Sequence, residues 1–194
     1  MPRPKSFDVD DALDRAVDLF WVNGYAATSM EDLVNHLGIN RGSLYSTFGS
    51  KEELYELALE RYLASGQHRF AEMITDPSIP LREAIKVLLN SSAEKRDHRG
   101  CLLVNTAMER NATDERYLDL TSKAFDELRA ILIAAFESRR DDLTNGLPPD
   151  RAADLVLVAT QGLRVVGATE SKISADSTIQ TVLDTLTPET PVRR

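Results

Sequence analysis

The sequence predicts an all-α protein of about nine helices, a head of about 50 residues followed by a helical body of about 140. Three observations predict this class. Apolar residues recur at helical spacing along nearly the whole chain. No segment alternates with a two-residue period for long enough to make a strand. Helix-start signals and glycine or proline breaks then cut the chain into helix-sized pieces.

The first helix carries Val9, Leu13, Ala16, Val17 and Phe20 on one face and ends at Gly24. Thr28-Ser29-Met30-Glu31 reads as a capping box, a hydroxyl and a carboxylate satisfying opposite backbone donors. The helix it opens turns Met30, Leu33, Val34 and Leu37 inward and stops at Gly38. There a Cβ would clash or force a costly φ. Asn40 caps a third helix, Arg41 to Phe48, too short and too polar on its outer face to lie in a core. Its Leu44 and Phe48 plug the head. Ser50-Lys51-Glu52-Glu53 is a second capping box, opening a long helix with Leu54, Leu57, Ala58 and Tyr62 on one side.

Asp76 to Pro80 breaks the chain, and Leu81, Ala84, Ile85, Leu88 and Leu89 then mark a further helix. His98-Arg99-Gly100 precedes a short apolar helix from Cys101 to Glu109. Thr113 caps a long one to about Arg140, with Leu118, Phe125, Leu128, Leu132 and Phe136 inside. A linker, Asn145 to Pro149, leads to two last helices over 150–171 and 177–186. The expected division is 1–51 for the head, 52–187 for the body, and a disordered tail over 188–194.

Three short helices and two glycine turns between Leu19 and Lys51 are the layout of a helix-turn-helix, whose second helix enters the major groove of DNA. The formal net charge of -8 runs against DNA binding until its distribution is read. Arg3 and Lys5 stand in an acid-free arm, and Arg41 and Lys51 in an acid-free stretch over 38–51. Asp8, Asp10, Asp11, Asp14 and Asp18 crowd the first helix instead. Affinity depends on the charges that face phosphates rather than on the total.

Other functions find little support. Cys101 is the only cysteine, which excludes an intramolecular disulfide and a Cys-rich zinc site, and His36, His68 and His98 are scattered. No cofactor or metal is expected. Glu109-Arg110 and Asp114-Glu115 are adjacent on helices and point apart, so no acid–base pair suggests an enzyme. An adaptor on a degenerate helix-turn-helix would lack the basic and small residues that the third helix retains. No run of about eighteen apolar residues exists to span a membrane, and the start lacks a secretory signal, so a soluble, cytoplasmic protein is expected.

The head resembles that of the tetracycline-repressor (TetR) family of transcriptional regulators. The resemblance rests on Leu19-Phe20, Gly24-Tyr25, Thr28-Ser29, Asp32-Leu33, Leu37-Gly38-Ile39, Gly42-Ser43-Leu44-Tyr45, Phe48 and Ser50-Lys51-Glu52, about a quarter of the chain. It implies a homodimeric repressor, bound to double-stranded operator DNA and released by a small-molecule effector. Arg41 would pair with guanine or hold a phosphate, Tyr45, Thr47 and Lys51 would contact phosphates, and Thr28 and Ser29 would meet one at a helix start. Small Gly42 and Ser43 would let the helix lie deep in the groove. At Thr47 the family often carries histidine; threonine keeps a hydroxyl donor. Pairing through the last two helices would use Leu155, Val156, Ala159, Leu163 and Val166 with Ile179, Val182, Leu183 and Leu186. Small Gly162 and Gly167 would aid close approach.

For an effector pocket in the body, the candidate lining is Phe70, Met73, Cys101, Asn105, Met108, Tyr117, Phe125 and Gln161. The Gly100-Cys101 pair resembles a subgroup that includes electrophile-responsive repressors. Two readings of Cys101 stay open: a thiolate favoured by the helix dipole, His98 and Arg99, or a small buried hydrophobe.

Overall fold

In the computed structural model the described residues are 7–93, 99–110, 114–144, 146–167, 169 and 172–187, without the side chains of 67–69. They form nine α-helices, one 3-10 turn (Arg140–Asp142) and no strand. The helices are α1 (Val9–Ala27), α2 (Met30–Leu37), α3 (Arg41–Phe48), α4 (Lys51–Thr75), α5 (Leu81–Ala93), α6 (Leu102–Arg110), α7 (Glu115–Ser138), α8 (Pro149–Gly167) and α9 (Ala175–Leu186). The all-α expectation holds. None of the described helices is long and apolar enough to cross a membrane. The expected cap at Thr113, the residues Arg3, Lys5 and His98, and the 188–194 tail lie outside the described residues.

The chain divides into two compact units, 1–66 with 102–118, and 67–101 with 119–194. In the first, Ala12, Ala16 and Phe20 of α1 are buried together with Leu33, Leu37, Ile39, Leu44, Phe48, Leu54, Tyr55, Ala58 and Tyr117. The tyrosines bring aromatic edges into this core. Phe20 meets Tyr55 at 4.9 Å between ring centroids and Tyr25 meets it at 5.0 Å, both near edge-to-face. Tyr55 also shares a 2.9 Å hydroxyl contact with buried Thr106 of α6.

Local signals fix the helix ends. Asp8 accepts from the N–H groups of Asp10 and Asp11 at the start of α1. At Gly24 the backbone leaves the helix with φ 77°, although the helical assignment resumes to Ala27. Ser50 and Glu53 cap α4 reciprocally. The box at α2 differs from the expected one. Ser29 and Asp32 form it, one residue beyond Thr28 and Glu31: Asp32 N–H donates to the Ser29 hydroxyl at 3.1 Å, and Ser29 N–H to the Asp32 carboxylate at 2.8 Å.

In the second unit, Leu81, Ala84, Ile85, Leu88 and Leu89 of α5 share a core with α7, α8 and α9. Arg82 closes the end of α9, donating to the Thr187 carbonyl at 2.7 Å and to Asp184 at 2.6 Å. Leu57 and Leu118, expected inside their helices, are exposed. A periodic stripe gives the direction of a buried face but not its width.

Candidate nucleic-acid interface

The candidate surface is built on α3. Leu44 and Phe48, one turn apart, are buried in the core of the first unit and fix which way this eight-residue helix faces. Gly42 and Ser46 are therefore exposed on the opposite arc and Tyr45 at its edge, while Arg41 is exposed as the first residue of the helix and Ser43 and Thr47 are half-buried. The Asn40 side chain accepts from the Ser43 N–H at 2.8 Å, and no acidic residue stands in the first turn of α3. The helix start therefore keeps its positive end unopposed, as an anion site requires.

Arg41 and Tyr45 lie one turn apart, the guanidinium carbon 5.8 Å from the ring centroid. At that distance the cation–π contact is weak, roughly 0.5 kcal/mol. It leaves the guanidinium fork available to a guanine edge or a phosphate. Ser46 was missed by the sequence reading. It is exposed beside Tyr45, and its hydroxyl donates to the Ser43 carbonyl at 3.1 Å. A helical wheel drawn from Leu44 and Phe48 places it on the outward arc.

Two expected contacts change. Thr28 is fully buried, and its hydroxyl donates to the Gly24 carbonyl at 2.7 Å. It ties down the end of α1 and presents nothing to a phosphate. Ser29 is exposed, but its hydroxyl donates to Asp32 at 2.6 Å and accepts in the capping box. Lys51 is half-buried, its ammonium 4.2 Å from the Tyr25 ring centroid. Burial pushes its pKa down, Arg110 adds to the lowering, and Glu109 and Asp32 oppose it.

The acids of α1 have partners of their own. Arg61 binds Asp14 through two nitrogens, at 2.9 and 3.1 Å, and Asp10 at 3.0 Å. Arg15 pairs with Asp11. The basic, acid-free segment over 38–51 and the paired acids of α1 are therefore separate features of one unit.

The residues expected for pairing and sensing are distributed differently. Val156, Leu163, Ile179, Val182, Leu183 and Leu186 are buried in the core of their own unit. Leu155 and Ala159 pack partly against it, and Val166 is half-buried. The large apolar side chains that α8 exposes are Val158 (70%) and Val165 (55%), which the sequence reading did not select, with Gly162 between them and charged Asp150, Arg151 and Asp154 exposed toward the helix start. Of the candidate pocket residues, Asn105, Met108 and Tyr117 belong to the first unit, and Phe70, Met73, Cys101, Phe125 and Gln161 to the second. Met108 is 81% exposed and Tyr117 is core. Cys101 stands one residue before α6 and is only 4% exposed, which supports the packing reading over a reagent-accessible thiol.

Comparison with known proteins adds independent findings. Residues 12–58 match the family model described as bacterial regulatory proteins, tetR family. Over 134 residues the chain is 34% identical to the HTH-type transcriptional regulator YezE of Bacillus subtilis (strain 168), covering 66% of this chain and 69% of YezE. It is 36% identical over 107 residues to the HTH-type transcriptional repressor ComR of Escherichia coli (strain K12), covering 53% of this chain and 51% of ComR. Among solved structures, the TetR family transcriptional regulator CifR, a cysteine mutant complexed with a 26-bp double-strand operator DNA, superimposes with a TM-score of 0.79. That match has 27% identity and covers 95% of this chain and 99% of CifR.

Proposed function

The chain belongs to the TetR family of bacterial transcriptional regulators, and from that premise we propose that it is a homodimeric repressor released from its operator by a small-molecule effector. The observation that carries the DNA-binding half is the outward face of α3. Arg41, Tyr45 and Ser46 stand exposed on an acid-free segment, held there by Leu44 and Phe48. The match to CifR, which was solved on operator DNA, supports this use of the face.

In this reading Arg41 supplies direct readout or a phosphate clamp. Tyr45 and Thr47 set register on the backbone, with Lys51 and the Arg3 and Lys5 arm adding charge, and Gly42 and Ser43 keep the helix start thin. The head is 1–51, the body 52–187 is a sensor rather than a catalyst, and the protein works in the cytoplasm. Two α3 helices then meet successive major-groove half-sites, which requires a second copy of the chain. The exposed apolar arc of α8 supports that pairing. An effector can release the DNA only by binding the released state more tightly than the bound one.

A footprint on the region upstream of the protein's own gene tests the reading, with Arg41→Ala beside the wild type. A protected site should appear, and Arg41→Ala should lose about 1–3 kcal/mol on it if Arg41 reads a base. An equal loss on random DNA assigns Arg41 to phosphate. No sequence-selective protection at this or any genomic fragment defeats the proposal.

A further inference from the structure

We propose that Glu109, at the end of α6, is a positioning residue for DNA binding, its carboxylate fixing the corner between α1 and α2 and thereby the placement of α3. The inference rests on the DNA-binding reading above. At Gly24 the backbone leaves the helix, with φ 77° and ψ 175°. The two N–H groups just past that break donate to Glu109: Tyr25 N–H to Oε2 at 3.0 Å and Ala26 N–H to Oε1 at 2.6 Å. One carboxylate, 83 and 84 residues away in sequence, thus takes two backbone donors at once, a bidentate grip. It does so against bare backbone. A Cβ on Gly24 would stand 3.0 Å from Glu109 Oε2.

The neighbouring Arg110 holds the side chain of the same tyrosine. Its guanidinium carbon lies 4.2 Å from the Tyr25 ring centroid and 4.6 Å from that of Tyr117, and it binds Glu52 of α4 at 2.8 Å. Lys51, a candidate DNA contact, lies 4.2 Å from that Tyr25 ring. Consecutive residues of α6 therefore fix both the backbone and the ring of Tyr25. Thr28, which bonds back to the Gly24 carbonyl, carries the constraint to the start of α2. Leu33, Leu37, Leu44 and Phe48 are seated in the apolar core of the first unit, together with Leu54, Tyr55 and Tyr117. Glu109 adds orientation to that core rather than apolar burial, so its loss should appear in DNA discrimination more than in unfolding.

The test uses the full chain, Glu109→Gln and Glu109→Ala. The probe is a duplex enriched from a random double-stranded library by the wild type, with an unselected duplex as reference. The glutamine keeps the shape but offers one acceptor oxygen for two donors. The expected result is faster amide exchange at Tyr25 and Ala26 and an unfolding midpoint near that of the wild type. Affinity for the enriched duplex should fall about tenfold, with little change on the unselected one. Wild-type affinity in both variants overturns the inference and leaves the DNA-binding reading standing, as does an equal loss on both duplexes. If the wild type enriches no duplex, the DNA-binding reading falls and takes the inference with it. Should the alanine variant fail to fold, the glutamine variant decides.

Discussion

Three side chains of the head illustrate how burial and bonding divide the work among residues. Leu44 is fully buried, so Leu44→Ala deletes packed methyl groups from a small core and should cost about 2–5 kcal/mol in denaturant unfolding. A loss of well under 1 kcal/mol would mean that α3 is not seated as described. Thr28→Val keeps the volume but strips the Gly24 carbonyl of its 2.7 Å bond. Unfolding should register about 1 kcal/mol. Asp32 is a titration case. The Ser29 hydroxyl and the Ser29 N–H both donate to its carboxylate and hold its pKa below the ordinary 3.8. A lowered folded-state pKa contributes stability above the ordinary value, and that contribution is lost as pH falls through the folded-state value. Melting curves should therefore show Asp32→Asn less stable than wild type at neutral pH. The gap should close in acid, and one that persists at pH ~2 would rule out the charge as its source.

At the scale of elements, glycine and the caps decide where helices stop, and here sequence and structure agree unevenly. Gly38 sits between α2 and α3 with φ 68°, and nothing lies within 4 Å of where its Cβ would be. The clash considered from the sequence is absent; the cost of a side chain is purely conformational. Gly38→Ala should therefore destabilise by roughly 1 kcal/mol, and Gly38→Asn by less, because asparagine tolerates the left-handed region. Equal losses in chemical denaturation would point to an unseen contact. Gly49 differs, since its φ is 74° and a Cβ there would also run into the Glu53 carboxylate. Most helix spans were legible because apolar spacing and caps are local signals. The frame of the box at α2 was not. Thr28…Glu31 and Ser29…Asp32 are overlapping candidates, and the Gly24 break, gripped by Glu109 from far along the chain, stands just before them. No window of sequence contains that contact. The outward arc of α3 was legible except for Ser46, because the inward pair Leu44 and Phe48 fixes the remaining directions.

For the whole molecule, the proposed pairing turns on a helix that is apolar on more than one side. Val156 and Leu163 of α8 enter the core of their unit, while Val158 and Val165 stay exposed. Periodicity finds apolar positions but does not say which face a chain keeps for itself, so the sequence selected the inward one. The outward face of α9 decides nothing by hydrophobicity, being made of Ser177, Gln180, Thr181, Asp184 and Thr185. Two exposed valines two turns apart on one helical face, with Gly162 between them, are costly to leave in water and suit a close helix–helix approach. In a pairing through this face a second copy would contribute the same patch, as two-fold symmetry requires. Val158→Glu combined with Val165→Glu would place four carboxylates at such an interface. Sedimentation at micromolar concentration should show a wild-type dimer and a variant monomer of unchanged helicity. The variant should also lose affinity for a two-half-site duplex far more than for one half-site, because the two α3 helices no longer arrive together. A wild-type monomer on operator DNA would defeat the pairing model outright, and a dimeric variant would move the interface away from this face of α8.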